Sequence, residues 1–232
     1  MLSLPRATSA ALLMASAVAA SVALASPASA NVTGGTSTSD VVLYAHCQTH
    51  DISYGLAVDP GTALWRLEVQ VADPSGFLSE GTVVNSATNP ATSGTIPVTF
   101  CGSEPIGTYT VRATGFYEVV PAVHIPFTLP ETTFQVRPTA TRTALKEKSL
   151  GHGRHRLTAK VLEQDEHGYE RADGLPVELQ KRVHGQWHRV RGLTLTTVHG
   201  AAVATVGARG TYRAVVPAEG NHGASASAPV TL

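Results

Sequence analysis

Long runs with helical periodicity are missing from this sequence, and with them the expectation of helices that bury one face. No serine sits in a nucleophile elbow, no glycine-rich stretch has the spacing of a phosphate-cradling loop, and no paired-carboxylate signature is present. None of these routes to catalysis is legible, so the expectation is a protein that is not an enzyme and carries no cofactor. The acidic stretch Glu163-Gln164-Asp165-Glu166-His167-Gly168-Tyr169-Glu170 lacks the full set of alternating oxygen ligands of an EF-hand calcium loop. Cysteine is limited to Cys47 and Cys101. No apolar tail precedes Leu232.

What is present begins with a leader. Arg6 supplies an early positive charge, residues 10–25 are rich in Ala, Leu and Val, and Ala28-Ser29-Ala30 offers small residues just before Asn31. That is the pattern of a cleaved secretory signal peptide over residues 1–30. The apolar run is short for a membrane span and Pro27 follows it at once, so no integral membrane segment is expected after cleavage. No cysteine follows the cut to take a lipid. The expected location is secreted and extracellular, with association to the cell envelope open. In such an oxidising compartment an even pair of cysteines is expected to form a disulfide, Cys47 to Cys101.

Beyond the leader, apolar residues come in short alternating runs between turn residues, which is the pattern of an all-β chain. Residues 31–39 form a Thr/Ser/Gly tail expected to be disordered. The clearest strand follows a turn at Asp59-Pro60-Gly61: Trp65, Leu67, Val69 and Val71 alternate with Arg66, Glu68 and Gln70. Further strands are expected over residues 95–100, 107–113 and 127–136, with a loose polar middle over 81–93. In the second half, strands are expected over 139–145, 156–162, 177–183, 186–191, 193–198, 201–206 and 211–216, with a last one ending at Leu232. A hairpin turn at His184-Gly185 joins two of them, and a charged loop spans 163–173. About seven strands per hundred residues is the count of a β-sandwich.

A repeat divides the chain. Gly107-Thr108-Tyr109-Thr110-Val111 reappears as Gly210-Thr211-Tyr212-Arg213-Ala214, and each copy follows a short apolar strand that itself follows a glycine, Gly94 or Gly200. A period near the size of one sandwich argues for two diverged copies of one fold, residues 40–137 and 138–232. The halves differ in charge: residues 31–137 hold 3 Lys/Arg against 9 Asp/Glu, and residues 138–232 hold 13 against 8. Opposite fields of this kind steer association with charged surfaces and do not determine fold.

The glycine-tyrosine pair opening a late strand, the Gly220-Asn221-His222-Gly223 turn, and Pro176-Val177-Glu178-Leu179-Gln180-Lys181-Arg182 followed by Gly185-Gln186-Trp187 resemble bacterial Ig-like repeat domains of secreted and surface proteins. The resemblance is good over 139–232 and loose over 40–136. It implies two tandem Ig-like β-sandwiches, with Tyr109 and Tyr212 as tyrosine corners. In the antibody-type pattern the second cysteine lies two residues after the tyrosine, where this chain has Val111, while Cys101 precedes Tyr109. The bridge is therefore expected to join an early strand to the strand or turn before Gly107.

Two functions are open at this stage. The first is a secreted, non-catalytic interaction or scaffold protein that binds an acidic cell-envelope polymer or an extracellular protein, with Arg154, Arg156, Arg189 and Arg191 as candidate polyanion ligands. Nucleic acid is a poorer partner for an exported chain, although Tyr169 and Trp187 are rings on which bases stack. The alternative is metal handling by the second half, where seven of the ten histidines fall. Its candidate ligands are His152, His155, His184 and His188, which have no diagnostic spacing.

Overall fold

The computed structural model describes residues 32–79, 81–119, 123–207 and 209–232. The signal peptide read over residues 1–30 lies outside the described residues. Those residues are all-β, without a helix among them.

Among the described residues nine strands precede Thr139: β1 Val32–Ser37, β2 Val41–Leu43, β3 Gln48–Val58, β4 Thr62–Ala72, β5 Thr82–Asn85, β6 Ser93–Phe100, β7 Gly107–Val119, β8 Val123–Thr128 and β9 Thr132–Pro138. One sheet has the order β1-β3-β6; the other runs β2-β9-β7-β4-β5, with β8 folded back on β7. Strand alternation explains why they stack. Trp65, Leu67, Val69 and Val71 of β4 point to one side, and Val111, Ala113 and Tyr117 of β7 lie opposite in register. They form one buried cluster with Ile52, Tyr54 and Leu56 of β3 and Ile96 and Phe100 of β6.

The tail expected to be disordered is instead β1, paired with β3 from Val32↔Val58 to Ser37↔Ser53. Val32 enters the core, and the Thr36 and Thr132 hydroxyls bond at 2.9 Å, tying β1 to β9 of the facing sheet. A polar composition hid a strand whose backbone pairing and one buried valine suffice to order it. At Gly34 a Cβ would fall 2.0 Å from the Gly55 carbonyl oxygen, so glycine is what allows this close strand approach. Two further boundaries moved. The polar middle contains β5 on the edge of a sheet, and the single closing strand divides into β8 and β9. Pro126 sits in β8, an edge strand where its missing N–H removes no ladder bond.

Cys47 and Cys101 are bonded. They stand just outside the pair Gln48↔Phe100 that starts the β3–β6 ladder, so the bridge staples neighbouring strand ends of one sheet. The Tyr109 hydroxyl donates to the Pro105 carbonyl at 2.8 Å, the contact of a tyrosine corner. Its ring packs on Phe100 and Phe134 at 5.5 and 5.6 Å, and burial pushes its pKa up to about 12.

Ten strands follow among the described residues: β10 Thr141–Gly151, β11 Arg154–Asp165, β12 Gly168–Arg171, β13 Pro176–Val183, β14 Gln186–Arg189, β15 Leu195–Thr196, β16 Ala201–Val206, β17 Thr211–Val216, β18 Ser225–Ala226 and β19 Val230–Thr231. One sheet is β10-β11 with β12 and β16 both on the far side of β11. The other is built on β13 and β17, with β14, β15, β18 and β19 at their flanks. The charged loop expected at 163–173 is in fact the β11–β12 hairpin. The core between these sheets is alanine-rich: Ala159, Val161 and Ala202 meet Val177, Ala214 and Val216, and Leu157 and Ala204 meet Leu179 and Tyr212. Among the described residues no sheet contains strands from both sides of Thr139.

Gly107 and Gly210, the glycines of the two similar segments, share a backbone conformation. Both have φ of 144°, a conformation that favours glycine, and both enter the strand carrying the tyrosine. The upstream glycines differ, since Gly94 lies inside β6 whereas Gly200 is a turn residue with φ of 72°.

Candidate polyanion-binding face

The four arginines singled out from sequence do not come together. Arg154 and Arg156 lie on β11; Arg189 lies on β14 of the opposite sheet, where it pairs with Glu178 at 3.4 Å, and Arg191 follows it in an exposed turn. Cations of that second sheet are largely engaged by their neighbours. Arg213 donates to the Gln180 side chain at 2.9 Å and covers the half-buried Trp187 ring at 4.5 Å. Arg182 donates to the Gly185 carbonyl.

What gathers instead is one face of the β10-β11-β12-β16 sheet. On β11, Leu157, Ala159 and Val161 point into the core, so Arg154, Arg156, Thr158, Lys160 and Leu162 point outward. Register carries this outward face onto the neighbours. Lys148 is opposite Arg156, Lys146 opposite Thr158, Ala144 opposite Lys160 and Arg142 opposite Leu162. Across β11, Arg171 is also opposite Leu162, and Thr205, Val203 and Ala201 follow along β16. Seven cations, Arg142, Lys146, Lys148, Arg154, Arg156, Lys160 and Arg171, therefore share one exposed surface. Among the described residues none of the seven forms an ion pair with a carboxylate.

That surface has a floor and a groove. Arg142 lies over the Tyr169 ring at 3.7 Å, which holds its guanidinium flat. Next to it a depression of about 510 Å³ is lined by Arg142, Lys160, Leu162, Arg171, His199 and Ala201. The His199-Gly200 turn at its rim is pinned from behind, since the Gly200 N–H donates to the Asp173 carboxylate at 2.7 Å. A cationic groove with an apolar floor binds anions that also carry nonpolar chain.

Arg142, Lys160 and Arg171 did not stand out in the sequence. The signal was there: Arg142, Lys146 and Lys148 fall on alternate positions of β10, as do Arg154, Arg156 and Lys160 on β11. Reading period two for charge as well as for apolar residues places each set on one face of its own strand.

The histidines have a different explanation. His152, His184 and His199 have φ of 52°, 49° and 51°, and each precedes a glycine with φ of 71° to 85° in a two-residue hairpin turn. Two successive left-handed residues are the geometry of a type I′ turn, and histidine tolerates that region better than most side chains. His155 points to the inner side and meets Glu147 at 2.7 Å, while His188 is exposed opposite Lys181. Among the described residues no group of three or more His, Cys, Asp or Glu is arranged to hold a metal ion. His222 and Glu163 form one more half-buried pair, Nδ1 to Oε2 at 3.3 Å, in which burial raises the Glu163 pKa against the pull of His222.

In comparisons with known proteins, no family model and no curated protein matched the chain.

Proposed function

We propose that this chain is an exported, non-catalytic binding protein of two tandem Ig-like sandwiches, and that the basic face of its second sandwich holds an acidic polymer of the cell envelope. The observation that carries this reading is the row of seven cations without a carboxylate partner. Like charges placed directly across a ladder destabilise it, and Lys148 faces Arg156 in that way. A surface that only needed to be soluble would intersperse acids, as the second sheet does with Glu178 and Arg189. The cations are free to pair with an external anion, and the acidic first half helps to hold the protein with its basic face toward a negative surface.

The test is retention on isolated cell envelope as a function of salt. With about five to seven anionic groups neutralised and a slope near −0.7 per group for a single-stranded polyanion, affinity falls about 10²–10³-fold between about 50 and about 200 mM salt. Retention that does not change over that range contradicts the proposal.

A further inference from the structure

The cations of this face are spaced as well as clustered. Taking β11 as a ruler, successive outward positions define five rows. Arg142 and Arg171 flank the row of Leu162; Lys160 is the next; Lys146 stands in the row of Thr158; Arg156 and Lys148 share the fourth; and Arg154 is the fifth. Every row has at least one cation. Outward residues recur every second position, so the rows are about 6.6–6.8 Å apart and the series extends about 27 Å.

We infer that the occupant is a linear phosphodiester polymer with a three-carbon polyol between phosphates. This rests on the reading of the face as a polyanion site and names the chemistry that fits it. An extended chain advances about 3.3–3.6 Å for every three backbone atoms. A repeat of phosphorus, two oxygens and three carbons has six, and so places one charge every ~6.6–7.2 Å, matching the rows. A 1,4-linked uronate has five chain atoms per carboxylate, which its ring keeps from extending fully, so charges recur near ~5 Å and fall behind by about a whole row over five repeats. Inorganic polyphosphate, with two atoms per charge, sets surplus anions above the uncharged Leu162, Thr158 and Val203.

Single-stranded nucleic acid also has six backbone atoms per phosphate, and the face distinguishes it by what its bases would need. Base stacking requires an open aromatic face. Among the described residues the basic face offers one phenol or indole ring, Tyr169, on which Arg142 already lies at 3.7 Å, and the small His199 imidazole at the groove's rim. Trp187 belongs to the other sheet, under Arg213. Between the cations stand small residues, Ala144, Ala201, Thr158 and Thr205, which leave room for a narrow chain and offer two hydroxyls to its polyol oxygens.

The experiment is a length series. Dissociation constants are measured for the purified protein with glycerol phosphate oligomers of two to eight repeats, oligothymidylates of the same lengths and oligogalacturonates, at one low salt concentration. The expected result is affinity that climbs with each glycerol phosphate repeat to five and then levels, with oligothymidylates at least tenfold weaker. A climb that continues unbroken to eight repeats, or stops at two, overturns the spacing. Oligothymidylates binding as tightly overturn the polyol assignment, and oligogalacturonates binding best overturn the phosphate while leaving the polyanion reading intact. No binding by any of the three overturns both.

Discussion

Replacing Lys148 with glutamate separates a functional charge row from an incidental one. Lys148 sits directly across the β10–β11 ladder from Arg156, with Lys146 two positions away on the same face. A like-charged pair in that position destabilises by a few tenths of a kcal/mol and an opposite pair stabilises by roughly 0.2–1, so the reversal is worth about 1 kcal/mol at low ionic strength. For a chain of this size that raises Tm by about 2–4 °C. The same substitution removes one cation from the fourth row and places an anion there, so envelope binding weakens while the fold gains. Thermal denaturation by circular dichroism at low salt, repeated near 1 M salt where the Debye length shrinks to about 3 Å, reads the first effect. A Tm that is unchanged or lower at low salt, or a gain that survives high salt, refutes the claim that these cations repel one another across the ladder.

Three further outcomes follow from the fold. Tyr109→Phe keeps the ring packing and loses the bond to the Pro105 carbonyl, costing about 1 kcal/mol in urea denaturation. Because the folded pKa of Tyr109 is pushed above its unfolded value to about 12, its contribution is intact below pH 10 and is lost as pH rises through 12. The phenylalanine variant lacks that alkaline decline, and an identical pH profile for both proteins contradicts the assignment. Cys47→Ala/Cys101→Ala opens a loop with a sequence separation of 54 and lowers stability by about 4 kcal/mol if the unfolded chain is otherwise unconstrained; a loss under about 1 kcal/mol in the same assay argues against the entropic account. His184→Asn leaves Tm nearly unchanged, whereas His184→Val, forcing a branched side chain to φ near 49°, costs about 1–2 kcal/mol. Equal Tm values for the two variants remove the turn explanation for this histidine.

How much of this was legible in the sequence depended on the strength of each local pattern. Trp65 to Val71 announced a half-buried strand because four apolar residues alternate without interruption, and the structure buries all four. The edge strands β1 and β5 were not legible, because they contribute little to the core and are ordered mainly by backbone bonds, which leave no apolar alternation in the sequence. The site was half visible. Arg154 and Arg156 were found as basic residues, but joining them to Arg142, Lys160 and Arg171 needed the register of β10, β11 and β12, which couples residues up to 29 positions apart and is set by pairing between strands. Arg189 and Arg191 were grouped with them by composition alone, and composition does not say which sheet a strand joins. Histidine abundance suggested chemistry, whereas His-Gly in place of Asn-Gly at hairpin turns explains three of those residues by backbone geometry.

The central claim, that one face and not total charge holds the polymer, is tested most directly by two variants with equal loss of charge. One replaces Arg142, Lys148, Arg156 and Lys160 with serine; the other replaces Arg182, Arg189, Arg191 and Arg209. Retention on isolated cell envelope at low salt is then compared with that of the unaltered protein. The account predicts that the first variant is lost from the envelope while the second is retained nearly as well as the parent. Equal loss in both, or loss confined to the second, contradicts it.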